Sequence, residues 1–382
     1  MNLKMVMGFA ACAIVSLGIQ AQEVAPPAAA PTAQTAPPVG RPAVPQSNSS
    51  FIDSSGTAHI TRVIPVSPLL SPEARTWMAR QIPDADIHLT IEQIRAAADA
   101  SQARTTVSAQ SLYPTKIVEE TIGGVPVKVV TPPTIPAAKR DRVLICLHGG
   151  GFIADWGSAT ESIPIASLTQ TKVVAIRYRL SPEHAFPAAV DDVVAVYQQL
   201  LKTYRAGNIG VYGTSAGAAL TAEFAVRLQR MHLPLPAALG VFSGWGDFSR
   251  STDSLAMYGL MGLSGAATPD CSSCSMTNDY AKGTDPQDPL LSPVFADLKG
   301  LPPTLFLTST RDLLLSGTTQ LHLAFLKAEV PAELIVFEGL PHAFWAAGPR
   351  TMPEAIETNR IIAAFFDRHL GLRARPVARG RS

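Results

Sequence analysis

From Lys116 onward the chain alternates short, apolar, β-rich runs with amphipathic stretches, and this alternation restricts the fold more than any other feature. Arg142 to Leu147 is a continuous apolar run, the pattern of a strand buried on both faces. Lys172 to Arg179, Ile209 to Gly213, Ala237 to Phe242, Pro303 to Ser309 and Ala332 to Phe337 read as further strands. Between them, Val190, Val193, Val194, Tyr197, Leu200, Leu201 and Tyr204 fall on one face of a helix starting near Pro187. Leu321 to Lys327 lies in another helix, and Ala355 to His369 forms a closing one. Strands alternating with helices imply an α/β domain built on a mostly parallel, doubly wound sheet. Its chemistry belongs off the carboxyl ends of the strands. Lys116 to Val130 differs: two β-rich runs flank Gly123-Gly124, which reads as a hairpin.

One strand-to-helix junction carries a chemical signature. Ile209 to Gly213 leads into Gly213-Thr214-Ser215-Ala216-Gly217, and an alanine-rich helical pattern to about Gln229 follows at once. This is G-x-S-x-G in the strand, sharp turn, helix setting that gives the motif its meaning. The turn forces the serine into a strained conformation, and the small flanking residues let strand and helix approach closely. Ser215 Oγ then stands at the sheet's C-terminal edge. The helix behind it aims unpaired N–H groups at any negative charge that forms there.

Three other strand-end loops supply matching parts. His148-Gly149-Gly150-Gly151-Phe152 follows the Arg142 run. Consecutive glycines cost chain entropy and offer no side chain, so they make sense where backbone N–H groups must approach a ligand. No Lys-Ser/Thr follows, which argues against a phosphate loop. An oxyanion hole from Gly150, Gly151 and the Ala216 N–H fits better. Asp312 lies just past the Pro303 strand, and His342 just past the Ala332 strand. A serine hydroxyl is a weak nucleophile at neutral pH; His342 is the base that would take its proton and return it to the leaving alcohol. Asp312 would fix the imidazole tautomer and stabilise the imidazolium. Asp247, beyond the Ala237 strand, is the rival acid. His184 reads as structural, and Asp191 and Asp192 as charges complementing a helix N-terminus. The remaining histidines show no metal-site spacing.

The N-terminus has a different character. Lys4, the apolar stretch Val6 to Ile19 and the small residue Ala21 read as an export signal, residues 1–21, too short to span a bilayer comfortably. Cys12 lies too early in that stretch for a lipoprotein acceptor. Residues 22–50 are rich in alanine and proline (Pro26, Pro27, Pro31, Pro37, Pro38, Pro42, Pro45) and read as an extended, disordered spacer. Residues 51–115 hold two helix signals, one opened by Ser71-Pro72 and one over Ile91 to Ala100, and are assigned to an N-terminal helical cap. The catalytic domain then spans 116–372 and a disordered tail 373–382. Net charge is +1, which gives no electrostatic footprint for nucleic acid or acidic membranes. Cys146 reads as a small core hydrophobe. Cys271-x-x-Cys274 reads as a small loop disulfide in an oxidising compartment, because no thioredoxin-like pattern surrounds it and no second ligand pair suggests zinc.

His148-Gly-Gly-Gly-Phe152, Tyr178-Arg-Leu-Ser-Pro-Glu-His-Ala-Phe-Pro187, Gly213-Thr-Ser-Ala-Gly217 and Pro341-His-Ala-Phe344 together resemble the hormone-sensitive-lipase-like family of α/β-hydrolases, in its bacterial esterase branch. The resemblance covers roughly residues 60–370. It implies the α/β-hydrolase fold, an N-terminal helical cap, and hydrolysis of small carboxylic esters by water through an acyl-enzyme, without cofactor or metal. It assigns the triad to Ser215, Asp312 and His342 and the oxyanion donors to Gly150, Gly151 and Ala216. Two departures stand out. The family usually carries Asp before the nucleophile, where this chain has Thr214. Its usual Asp-Pro-Leu is here Asp312-Leu313-Leu314. Neither removes a triad member. The expectation is an exported enzyme, periplasmic or secreted, acting on short- to medium-chain acyl esters. A lactonase of the same fold and a non-catalytic binding protein are the alternatives.

Overall fold

A computed structural model describes residues 49–80, 89–263 and 279–371. The export-signal stretch, nearly all of the spacer, the tail beyond 372 and the Cys271/Cys274 loop lie outside those residues.

The organising element is an eight-stranded sheet: β3 (Lys116–Ile122), β4 (Val125–Thr131), β5 (Val143–Leu147), β6 (Lys172–Ile176), β7 (Ile209–Thr214), β8 (Ala238–Phe242), β9 (Thr304–Ser309) and β10 (Ala332–Phe337), following the exposed pair β1 (Ser49–Ile52) and β2 (Ala58–Thr61). Its order is β10-β9-β8-β7-β5-β6-β4-β3. The run from β6 to β10 is parallel; β3 and β4 form the antiparallel hairpin at one edge. Gly123 and Gly124 turn that hairpin with φ of 61° and 82°.

The helices, in chain order, are α1 (Pro72–Met78), α2 (Ile91–Leu112), α3 (Ser162–Thr169), α4 (Ala188–Leu200), α5 (Ala216–Arg230), α6 (Asp253–Met257), α7 (Leu315–Lys327), α8 (Phe344–Ala347) and α9 (Pro353–His369). Two cores follow from the period-two alternation of the strands. Val143, Ile145 and Leu147 of β5 face a core shared with α4, α5 and α7. Leu144 and Cys146 face the opposite core, shared with α3, α8 and α9. Each fully buried Val, Leu, Ile or Phe contributes about 1.5–3 kcal/mol, so strands apolar on both faces are held from both sides. The Cys146 thiol is free and buried, and burial pushes its pKa up.

Some expectations need correction. The spacer was expected to run to residue 50, but Ser49 already pairs with Thr61 in the β1–β2 hairpin, whose residues are exposed. The second N-terminal helix does not stop at Ala100 but continues to Leu112. Past Ala100 it buries Gln102 and Ala109, so tertiary contacts rather than an apolar stripe sustain it. Helix α3 carries no readable period because most of its residues are buried, Pro164 in its first turn among them. Asp192 does more than complement a helix N-terminus: it holds the Arg179 backbone N–H at 2.8 Å and the Nε at 2.9 Å. Asp191 pairs with Arg227 at 3.2 Å.

Both N-terminal helices are tied into the domain. Ser71 caps α1 by accepting from the Ala74 N–H and donates to Glu354 of α9. Ala74 and Trp77 enter the core beside Phe344 and Ala355. Helix α2 is closed by a capping box, with Thr90 and Gln93 satisfying each other's backbone N–H. It packs Ile94 and Ala98 on Ile153 and Ala154, directly after the glycine loop. Arg95 donates to the carbonyls of Ile153 and Ser181 and to Glu183, stapling α2 to two strand-end loops. No helix among the described residues is long and apolar enough to cross a membrane.

Candidate active site

Ser215 stands at the end of β7 with φ 58° and ψ −121°, a region L-residues avoid at a cost of about 1–3 kcal/mol. The surrounding contacts enforce it. A Cβ on Gly217 would lie 1.9 Å from the Leu147 carbonyl oxygen, and one on Gly213 would lie 2.1 Å from that of Gly217. Only glycine at both positions lets β5, β7 and α5 come this close. The Ser215 N–H donates to the Phe242 carbonyl at 2.9 Å, fixing the turn to β8. Helix α5 begins at Ala216, so its first N–H groups lack intrahelical acceptors and gather beside the serine.

The glycine loop follows β5, the neighbour of β7. A Cβ on Gly149 would fall 3.3 Å from Ser215 Cβ, so the loop lies against the nucleophile turn. Gly150 has φ 126°, and a side chain there would meet the Ala154 carbonyl oxygen at 1.9 Å. His148 anchors the loop: its ring stacks on Tyr178 at 4.2 Å, and the Tyr178 hydroxyl donates to the His148 carbonyl at 2.6 Å. Burial lowers the His148 pKa, which keeps the ring neutral. Its Nδ1 lies 2.9 Å from the Gly149 carbonyl oxygen. Phe152, at the loop's end, is buried against Tyr280 with ring centroids 3.6 Å apart.

Asp312 and His342 meet. His342 Nδ1 donates to Asp312 Oδ1 at 2.8 Å, with both side chains buried. Burial alone would raise the Asp312 pKa. The facing imidazole and the hydrogen bonds from His342, Ser243 and the Leu314 N–H outweigh burial and hold it below the usual carboxylate range. Two further donors went unnoticed in the sequence. The Ser243 hydroxyl donates to Asp312 Oδ2, and the Thr308 hydroxyl does so at 2.8 Å. Ser243 follows β8 directly, with φ 48°. The strand-end rule that picks out Asp312 and His342 applies to it equally, and its position was the readable signal. Thr308 lies inside β9 and gave none. Contacts therefore run across four adjacent strand ends: Ser215 to Phe242, Ser243 to Asp312, Asp312 to His342.

The rival acid is engaged elsewhere. Asp247 accepts from the Ser249 N–H at 2.8 Å and its hydroxyl at 2.6 Å, and lies 3.8 Å from Arg250. His184 borders a cavity of about 480 Å³ that also touches His148, Arg177 and Tyr178. Among the described residues no group of three His, Cys, Asp or Glu side chains could hold a metal ion.

A parallel sheet of this order, with a strained serine between β7 and α5, defines the α/β-hydrolase class. The family model described as alpha/beta hydrolase fold matches residues 144–346, more than half of the chain, and the chain belongs to that family. It is 34% identical over 242 residues to an acetyl-hydrolase of Streptomyces hygroscopicus, covering 60% of this chain and 77% of that one. A crystal structure of an esterase aligns at TM-score 0.71 and 31% identity, over 81% of this chain and 98% of the other. A hormone-sensitive lipase from a metagenome library aligns at TM-score 0.66 and 30% identity, over 75% and 93%. Within the α/β-hydrolases the chain belongs to the hormone-sensitive-lipase-like branch.

Proposed function

We propose that this protein is a serine carboxylic-ester hydrolase that cleaves short- to medium-chain acyl esters through an acyl-enzyme. The reading is supported by similarity to proteins named acetyl-hydrolase and esterase. The observation that carries the mechanism is the buried His342–Asp312 hydrogen bond of 2.8 Å, formed at the same sheet edge as the strained Ser215 turn. With Nδ1 donating to Asp312, the tautomer leaves the His342 Nε2 lone pair to accept the Ser215 proton.

In this mechanism Ser215 Oγ attacks the ester carbonyl as His342 takes its proton. The N–H groups of Gly150, Gly151 and Ala216 stabilise the oxyanion. The imidazolium, steadied by Asp312, protonates the leaving alcohol. Water, deprotonated by the same imidazole, then releases the acid and restores the serine. Within the cap region of 51–115, helix α2, tied to the loops after β5 and β6, and helix α1, tied to α9, act as the cap over the pocket.

The test is covalent labelling with a fluorophosphonate probe, followed by peptide mapping and p-nitrophenyl acetate turnover. Wild type is expected to label at Ser215 and to turn over the ester. Ser215→Ala should lose labelling and several orders of magnitude in kcat while keeping its fold. Folded wild-type protein that neither labels nor hydrolyses would overturn the assignment.

A further inference from the structure

Glu161 sits at the head of α3, behind the glycine loop, and its side chain is buried. One carboxyl oxygen, Oε1, lies 3.4 Å from the Gly149 N–H, a long contact, and that amide belongs to the residue just before the two proposed oxyanion donors. The turn is built around this carboxyl: a Cβ on Gly157 would lie 1.9 Å from Oε1 and 2.5 Å from Cδ. The other oxygen, Oε2, is buried and makes no hydrogen bond of ordinary geometry, although the Thr214 side chain lies close enough to the carboxyl to hold its pKa down. Thr214, immediately before the nucleophile, brings no charge of its own.

Burying a carboxyl with one oxygen poorly satisfied is costly, and an apolar side chain of similar volume would avoid that cost. A packing role therefore does not account for the residue, whereas a role toward the Gly149 amide does. The charged and titratable groups sharing its surroundings are Asp155, Arg350, Cys146, Tyr178 and Tyr212. Burial, with a smaller push from Asp155, outweighs the Thr214 side chain, the Gly149 N–H and Arg350 and raises the Glu161 pKa to about 7. Below that pH the carboxyl is neutral, so it can stand behind a developing oxyanion without opposing it.

We propose that Glu161 is a positioning residue for the oxyanion loop: by accepting from the Gly149 N–H it fixes the His148–Gly149 peptide, from which the amides of Gly150 and Gly151 are aimed. The inference rests on those glycines being the oxyanion donors. It concerns transition-state stabilisation, so its removal should lower kcat and leave KM nearly unchanged.

The experiment uses the full chain and p-nitrophenyl acetate at pH 6. Wild type and Ser215→Ala are compared first; if they do not differ, the esterase reading itself fails. Glu161→Gln, whose amide oxygen can still accept from Gly149, is expected to keep kcat within about threefold of wild type. Glu161→Asp, one methylene too short to reach that amide, should lose about tenfold in kcat with KM within about twofold, and label with fluorophosphonate correspondingly slower. Glu161→Ala should lose at least as much. If the alanine chain does not fold, the Gln and Asp variants decide between them. Wild-type kcat in Glu161→Asp, an equal loss in Glu161→Gln, or a loss confined to KM would overturn the proposal.

Discussion

Glu161 also makes a prediction at the residue scale that needs no substrate. Its pKa is raised from the usual 4.5 to about 7 in the fold. Between those values the folded chain holds a proton that the unfolded chain has released, so stability falls as pH rises across this window. The effect amounts to at most about 3 kcal/mol. Asp312 acts with the opposite sign and lower down: its pKa is depressed, so its contribution is lost as pH falls through the acid range. Urea unfolding at pH 5 and pH 8 should show wild type losing stability relative to Glu161→Gln on going to pH 8. A constant difference between the two proteins would mean that Glu161 titrates normally. Nothing in the sequence marked this glutamate. Ser215, Asp312 and His342 were readable because each follows a strand and stands in a recognisable motif or order. Glu161 follows a turn, and its importance comes from what is packed around it.

At the scale of elements, the strand-to-helix junction at Ser215 depends on how closely β5 and α5 approach. The place a Cβ would take at Gly217 is 1.9 Å from a backbone oxygen that cannot rotate away. Gly217→Ala should therefore destabilise by at least about 1–3 kcal/mol, and it should disturb the Ser215 turn. Gly207→Ala serves as the control, since a Cβ there meets nothing within 4 Å. Thermal melts of the two variants should separate clearly; equal melting temperatures would show that the junction relaxes without cost. The parallel strands were legible because each is buried on both faces and so reads as an unbroken apolar run. Helix α2 was only half legible. Its second half is fixed by the Gln102 side chain, which donates to the Asp155 carbonyl at 2.7 Å and accepts from the Ala159 N–H at 3.0 Å. A glutamine leaves no apolar period to read.

At the scale of the whole molecule, the chain is anchored from about Pro65 onward. Arg311 donates to the Pro65 carbonyl at 2.8 Å, and Leu70, Ala74 and Trp77 are buried. The β1–β2 hairpin before that point stands outside: Phe51, Ile52 and Ile60 are 62%, 74% and 57% exposed. A chain beginning at Val63 is therefore expected to melt within about 2 °C of the full chain and to keep its esterase rate. A large drop in either would show that the hairpin docks on the domain. By itself the amino-acid sequence determined the parallel sheet, the serine turn and the order of serine, acid and base, because burial period and strand-end position are local properties of the chain. Tertiary structure decided that the Ser243 and Thr308 hydroxyls support the Asp312 carboxylate and that Glu161 lies behind the oxyanion loop. Whether 4 residues separate the partners, as for Thr308 and Asp312, or 69, as for Ser243 and Asp312, which side chains meet is set by how the strand ends pack and is written in no local period.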